Sequence, residues 1–267
     1  MKLDCPAGME TISEPDIEPA ARAAAAVFAY HRRTAHRADG YARGPEALDW
    51  DAQPDPWRTW RGCDRLDLPL VSDALAAPYA VLTGEASVAP APLGVPSVAG
   101  LLELSFGLSA WKDAGPDRWA LRCNPSSGNL HPTEVYVLAS GVPGLADGVH
   151  HYDSRAHALE QRCAVEFAGG RLWIGLSSVL WREAWKYGER AFRYCQLDIG
   201  HAVGALQAAA ALLGWRVTAP GRLASSALAG LIGTDRAADF AGAEREEAEL
   251  LLAVDVAGAD GAAARAP

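Results

Sequence analysis

The order of apolar and polar positions predicts a chain that is helical at its start, strand-rich in its middle and mixed toward its end. An alanine-rich stretch from Ile17 to Tyr30, with Pro15 and Asp16 near its start, predicts a helix. It runs into the basic cluster His31, Arg32, Arg33, His36 and Arg37, where cations suit the negative end of the helix dipole. From Gly40 to Pro96 the periodicity breaks, and proline, tryptophan and aspartate crowd into DWDAQPDPWRTW. That composition predicts an irregular wrap whose tryptophans anchor it either to the domain surface or to a second subunit, because large aromatics are costly to leave in water. The leucines of SVAGLLELSFGLSAW, at 101, 102, 104 and 108, predict a helix from Ser97 packed on one face, followed by a polar loop. EVYVLAS and RLWIGLS read as strands, and HHYD and HALEQR as two short strands joined by a turn at Ser154 and Arg155. VLWREAWKYG predicts a helix. A longer helix follows from Arg190 to Leu213, stopped by Gly214 at its C′ position, with Gly200 and Gly204 inside it allowing close packing. WRVTAP and ELLLAVDVA predict further strands ahead of a disordered tail, GADGAAARAP. The expected class is α+β, with a helix and irregular extension over 1–96, a core over 97–256 and the tail over 257–267.

Composition narrows the function classes. Half of the 267 residues are apolar and 21% are charged, the balance of a folded domain with one sizeable core. A net charge of -9 argues against a nucleic-acid partner, whose phosphates such a surface repels. Cys5, Cys63, Cys123, Cys163 and Cys195 form no CxxC pair, so neither a disulfide framework nor a zinc site is expected, and reduced cytoplasmic thiols are. MKLDCPAGMETISEPD lacks the apolar core of a signal peptide. The longest apolar run, around Ala202 to Trp215, is shorter than the ~20 residues a bilayer span needs and is interrupted by Gly204 and Gln207; no membrane partner is expected. His131, His150, His151, His157 and His201 match no compact metal pattern, so no metal is expected. There is no GxGxxG or Walker loop, and Ser126 and Ser127 lack the Gly-x-Ser-x-Gly elbow of a hydrolase.

Three clusters carry candidate chemistry. The loop Arg122-Cys123-Asn124-Pro125-Ser126-Ser127-Gly128-Asn129-Leu130-His131-Pro132 is dense in small hydrogen-bonding groups, and Gly128 lets backbone amides approach a planar ring closely. It reads equally as a turn-rich surface loop. HRRTAHR, from His31 to Arg37, offers arginine forks and the Thr34 hydroxyl to a phosphate monoester, or is a solvated helix end. Lys186 and Tyr187, at a helix terminus before Gly188, can move protons in a suitable environment, or simply pack.

RCNPSSGNLHPTEVYVL resembles the Arg-x-x-Pro-Ser-x-Gly-x-x-x-Pro-x-Glu-x-Tyr signature of SagB-type dehydrogenases, and KYGERAFRYCQLDIGHAVGALQAAAALLGW is similar to their Lys-Tyr, Gly-His and Leu-Gly helix region, in the same order and spacing. The resemblance covers roughly residues 97 to 256. HRRTAHR is a weaker likeness of the Arg-Arg-Ser-x-Arg start of nitroreductases generally. The resemblance implies a nitroreductase-like α+β fold, with a central, mostly antiparallel sheet flanked by helices. It also implies a homodimer with FMN at the subunit interface. Carried over by position, Arg122, Ser126, Ser127, Gly128 and Asn129 would contact the flavin, Arg32, Arg33 and Arg37 would hold its phosphate, and Lys186 and Tyr187 would be catalytic base and partner. The implied activity is a dehydrogenation of a peptide or small metabolite in a biosynthetic pathway, with hydride passing to flavin N5. Two alternatives stand beside it: a non-catalytic scaffold of a maturation complex, and an NAD(P)H-driven reductase of nitro compounds or quinones. The chain departs from the family pattern in lacking its C-terminal basic residues, Arg265 alone remaining, and in the long segment before the Ser-Gly loop. That segment, YARGPEALDW with QPDPW, resembles a subgroup in which two such units are often fused.

Overall fold

The computed structural model describes residues 14–166, 172–221 and 223–256. The C-terminal tail expected to be disordered and the N-terminal stretch before Glu14 lie outside the described residues. The chain divides at Gly44/Pro45 into two compact units, so the irregular stretch 45–96 belongs to the same unit as the core.

The first unit is built on α1 (Glu14–Thr34), longer at both ends than its alanine pattern predicts, with His31, Arg32 and Arg33 in its last turn. The Thr34 hydroxyl donates to the Tyr30 carbonyl within the helix, and a single bridge pairs Arg37 with Gly40.

The second unit is organised by a seven-stranded sheet in the order β1-β6-β5-β4-β7-β9-β8, every pair antiparallel. Its strands are β1 (Asp64–Asp67), β4 (Thr133–Ala139), β5 (Gly148–Asp153), β6 (Ala158–Ala164), β7 (Leu172–Ser178), β8 (Arg216–Thr218) and β9 (Glu247–Asp255). Because side chains alternate across a strand, the central strands feed two cores. Val135, Val137, Ile174, Leu176, Leu252 and Val254 face α2 (Val95–Phe106) and α4 (Ala191–Leu212) on one side. Tyr136, Leu138, Trp173, Leu251 and Ala253 face α5 (Ser225–Ile232) on the other. A central strand buried on both faces reads as an unbroken apolar run, which is why β4 and β7 are legible in the sequence. At Gly175 α5 comes close enough that a Cβ would stand 2.8 Å from Ile232 Cγ2.

The structure corrects three readings. The helix expected from Ser97 to Trp111 is α2, and it stops at Phe106. Leu108–Ala114 then forms β2, which pairs with β3 (Asp117–Arg122) as a separate two-stranded hairpin where a loop was expected. Gly200 and Gly204 do not serve close packing within the chain, because a Cβ at either would meet nothing within 4 Å. Gly214 does follow the long helix in the left-handed conformation, φ +67°. Among the described residues no helix is long and apolar enough to cross a membrane.

Candidate active site

The Ser-Gly loop joins β3 to β4 and turns back on itself. Gly128, Asn129 and His131 all have positive φ, at 62°, 60° and 51°. Glycine adopts this conformation freely and asparagine tolerates it, but for histidine it costs roughly 1–2 kcal/mol, so the loop is held by its surroundings. The holding contacts come from α4. Buried Asp198 accepts from the Ser127 amide at 3.0 Å and the Ser127 hydroxyl at 2.9 Å. Inside the loop, the Ser126 hydroxyl accepts from the His131 amide, and the Asn129 side chain donates to the Ala120 carbonyl and meets the His131 ring at 3.0 Å.

Lys186 and Tyr187 end α3 (Leu180–Tyr187), and both side chains close on the loop at one point. A Cβ on Gly128 would lie 2.6 Å from Tyr187 Oη and 3.0 Å from Lys186 Nζ, so a side chain there would push both groups aside, on top of the strain set by the left-handed φ of 62°. Two of the clusters picked out in the sequence thus meet in space. Arg122 sits behind the loop with its guanidinium buried, donating to the Pro56 carbonyl at 2.7 Å and the Thr133 carbonyl at 3.5 Å while lying over the Trp57 ring, with its Nε left without a hydrogen-bond partner. Arg32, Arg33 and Arg37 belong to the first unit, where Arg37 donates to the Arg32 carbonyl and Arg33 lies over the Tyr30 ring.

A cavity of about 910 Å³ opens beside Gly128, Asn129 and Lys186, walled by Trp50, Trp57, Trp111, Trp119 and Trp185. This is near the top of the ~300–1,000 Å³ range of small-molecule pockets. Its outer wall is a strap over residues 49–60, with a short 3-10 turn at Trp50–Ala52, gripped through both its main chain and the side chains of Trp57, Arg58 and Trp60. Arg182 donates to the Asp55 carbonyl, Trp185 Nε1 to the Asp49 carbonyl, and the Trp60 amide to the Glu160 carboxylate. The wrap expected to anchor to its own domain or to a second subunit is, over these residues, anchored to its own domain.

Beneath the strap lies a buried charge network across β4, β5 and β6. His151 bridges Glu134 and Glu160 at 3.0 Å each, and Arg182 reaches Glu134 at 2.5 Å and the His131 carbonyl at 2.7 Å. Burial alone would drive Glu134 toward its neutral form, but the Arg182 charge and the His151 hydrogen bond hold it well below the usual carboxylate range. Burial, and then the charges of Arg122 and Arg182, push His131 down to about 3, so it is a neutral ring in the site.

The sequence reading missed Glu183 and Asp198. Glu183 is fully buried and neither carboxyl oxygen has a hydrogen-bond partner. Burial, then the neighbouring Asp198 charge, push it up to about 9, so it carries its proton at neutral pH. Burial, then the field of Glu183, raise Tyr187 and keep its hydroxyl a donor. An acid inside the apolar run YCQLDIGHAV was the available signal for Asp198, since a lone carboxylate on a core-facing helix side needs partners. Glu183 gave no comparable sign, because an Arg-Glu pair in a first turn ordinarily faces water.

No family model matches the chain. A candidate nitroreductase of Methanocaldococcus jannaschii is 26% identical over 124 residues, covering 41% of this chain and 59% of the relative. Among solved structures, a candidate nitroreductase of Anabaena variabilis superposes with a TM-score of 0.66 at 26% identity, over 85% of this chain and 45% of that one. One of Ralstonia eutropha gives 0.53 at 20% identity, over 73% and 90%. A chain of the E. coli microcin synthetase McbBCD complex, with truncated pro-MccB17 bound, gives 0.50 at 15% identity, over 91% and 94%. This chain therefore spans less than two thirds of the length of the M. jannaschii relative and of the Anabaena structure. The last two likenesses are of fold alone. Sheet order, flanking helices and these superpositions together make this a nitroreductase-like α+β fold, with candidate nitroreductases among its relatives.

Proposed function

We propose that the chain is an FMN-dependent oxidoreductase of the SagB-type dehydrogenase group, acting as a homodimer on a peptide or small metabolite. The observation that carries this is the convergence of Lys186 and Tyr187 on Gly128, the point where the loop could receive a planar ring. The aromatic cavity that opens beside Gly128 and Asn129 is large enough for an isoalloxazine ring, with Lys186 at its polar end. In this reading the Ser126–Asn129 loop holds the ring, Arg122 ties the strap to the start of β4 behind it, and Arg32, Arg33 and Arg37 are kept as the sequence's candidates for a phosphate. When bound, FMN would supply the two-electron acceptor.

The chain's own residues do the rest. Lys186 removes a proton from the substrate carbon, and Tyr187, kept protonated by burial, donates a hydrogen bond that orients the substrate's electronegative atom. Asp198 ties the loop to α4, which keeps Gly128 against Lys186 and Tyr187. The fold likeness to the E. coli microcin synthetase complex with truncated pro-MccB17 bound supports a peptide as the narrower choice of substrate. A reductive direction is the second reading, favoured by the names of the M. jannaschii and Anabaena relatives; NAD(P)H would then bleach the flavin rapidly.

The deciding test is the visible spectrum of the purified chain with its released cofactor quantified. Near-stoichiometric FMN is expected, and Lys186→Ala with Tyr187→Phe should retain it while losing dehydrogenation. A colourless protein that cannot be reconstituted with FMN would end this reading and leave the scaffold alternative.

A further inference from the structure

The strap that walls the cavity is hung from a few buried groups, and those groups meet at one side chain. Arg182 donates to the Asp55 carbonyl of the strap at 3.0 Å, to the His131 carbonyl of the Ser-Gly loop at 2.7 Å and to Glu134 Oε1 at 2.5 Å. The Trp60 amide, at the far end of the strap, donates to Glu160 Oε2 at 2.9 Å. His151 lies between the two carboxylates. Its Nε2 is 3.0 Å from Glu134 Oε2, and its Nδ1 is 3.0 Å from Glu160 Oε2, the same oxygen that receives Trp60. The ring is 0% exposed, with the Trp60 indole edge-on to it at 6.3 Å. Strap, loop and sheet thus close a circuit in which His151 is the link that both arms share. The other groups around it are Tyr136 from β4, whose ring stands 5.5 Å away, and Glu246 just before β9, which accepts from the Tyr136 hydroxyl and pairs with Arg58 of the strap.

We propose that His151 is a positioning residue of the site: as an imidazolium spanning Glu134 and Glu160 it holds the strap closed over the cavity, which is thereby a chamber with a releasable outer wall. An imidazolium donates from both ring nitrogens, which is what two carboxylates at hydrogen-bond distance require. A neutral ring donates from one nitrogen only and turns a lone pair on the other carboxylate, so one arm of the circuit is repelled rather than held. Burial alone would favour that neutral ring, but the hydrogen bonds to Glu134 and Glu160, and then the charges of Glu134 and Glu246, push His151 up to about 9. The fastening is therefore whole at neutral pH and is lost as pH rises through about 9. What it releases carries Trp50, Gln53, Pro56 and Trp57, which line the chamber, whereas Lys186 and Tyr187 stand on α3 outside the strap. His151 has this role whatever the chamber binds, so the oxidoreductase reading is neither needed for it nor tested by it.

The test is cleavage of the purified full chain by subtilisin between pH 7 and pH 10, each rate divided by that for a short peptide at the same pH and the cut sites located by mass. Within residues 49–60 the corrected rate should rise by at least about tenfold at pH 10, while other sites are cut at unchanged rates. Carbon-13 NMR of histidine-labelled protein should show His151 losing its proton at the midpoint of that rise. His151→Gln, neutral throughout, should be cut in the strap at the fast rate already at pH 7 and show no step. Should that variant not fold, Glu160→Gln leaves the ring one carboxylate and should lower its midpoint by about one pH unit. A strap cut at one rate across the range overturns the proposal, as does a step that survives in His151→Gln, which would belong to another group. Equal acceleration at every site would show general unfolding, and a ring already neutral at pH 7 would remove the link; either also overturns it. Flavin content is recorded for each sample: a colourless chain that shows the step supports His151 while ending the oxidoreductase reading, and a flavin-loaded chain without the step does the reverse.

Discussion

Gly128 and Glu183 are governed by what stands next to them. At Gly128 the left-handed φ and the two crowding side chains act together, so Gly128→Ala should lose about 1–3 kcal/mol and most of any bound flavin. Thermal melts and flavin absorbance on the same sample check this; a stable variant with full flavin would remove the loop from the site. Glu183 makes a pH-dependent prediction. An unfolded glutamate ionises near about 4.3, whereas burial and Asp198 push the folded one up to about 9. The stability it contributes is therefore whole below the lower value and is lost as pH rises toward the upper one. Glu183→Gln, neutral throughout, should gain about 1–3 kcal/mol at pH 8 and almost nothing at pH 4, measured by urea unfolding. An equal shift at both values would show that Glu183 does not hold its proton.

Among the elements, the strap over residues 49–60 and the hairpin mark where sequence reasoning ended. The central strands were legible because each side chain on them is buried against one core or the other, and the helices α3 and α4 because their apolar positions recur with helical spacing. The hairpin was not. Its two strands carry Trp111, Lys112, Asp113, Asp117 and Arg118 largely in solvent, so no buried face imposes alternation. The one signal was Gly115 before Pro116, with φ +65° at the first turn position, where a two-residue hairpin turn favours glycine. α5, at eight residues, is too short to show a period. Beyond a 3-10 turn at Trp50–Ala52 the strap has no regular structure to read, and what fixes it are residues distant in sequence. Arg182 is the central one: Arg182→Met should leave Glu134 to His151 alone, free the Asp55 carbonyl and cost about 1–3 kcal/mol. Limited proteolysis should then cut faster within the strap. Cleavage at the wild-type rate would show that Arg182 does not hold it.

For the whole molecule, the exposed side of α4 makes the assembly prediction. Phe192 and Leu197 are each 52% exposed there, and Gly200 and Gly204 present backbone to open space. In the homodimer proposed above, a second copy covers this side. Leu197→Asp should then give a monomer by sedimentation, with flavin retention falling alongside. A wild-type chain that sediments as a monomer with full flavin would separate cofactor binding from assembly. The sequence could place both glycines on a helix, but it could not say which way they faced.

Arg182 and Arg122 hold the strap by its peptide carbonyls at Asp55 and Pro56, and Trp57, Arg58 and Trp60 hold it by their side chains, which leaves Trp50 and Gln53, nearer its start, out of the arginine grip. The chamber's outer panel is in this sense exchangeable. Relatives can diverge at Trp50 or Gln53, and a designer can rewrite them, retuning what the chamber admits while the fastening and the proton-handling dyad stay as they are. Selectivity and chemistry in this molecule can evolve at separate speeds.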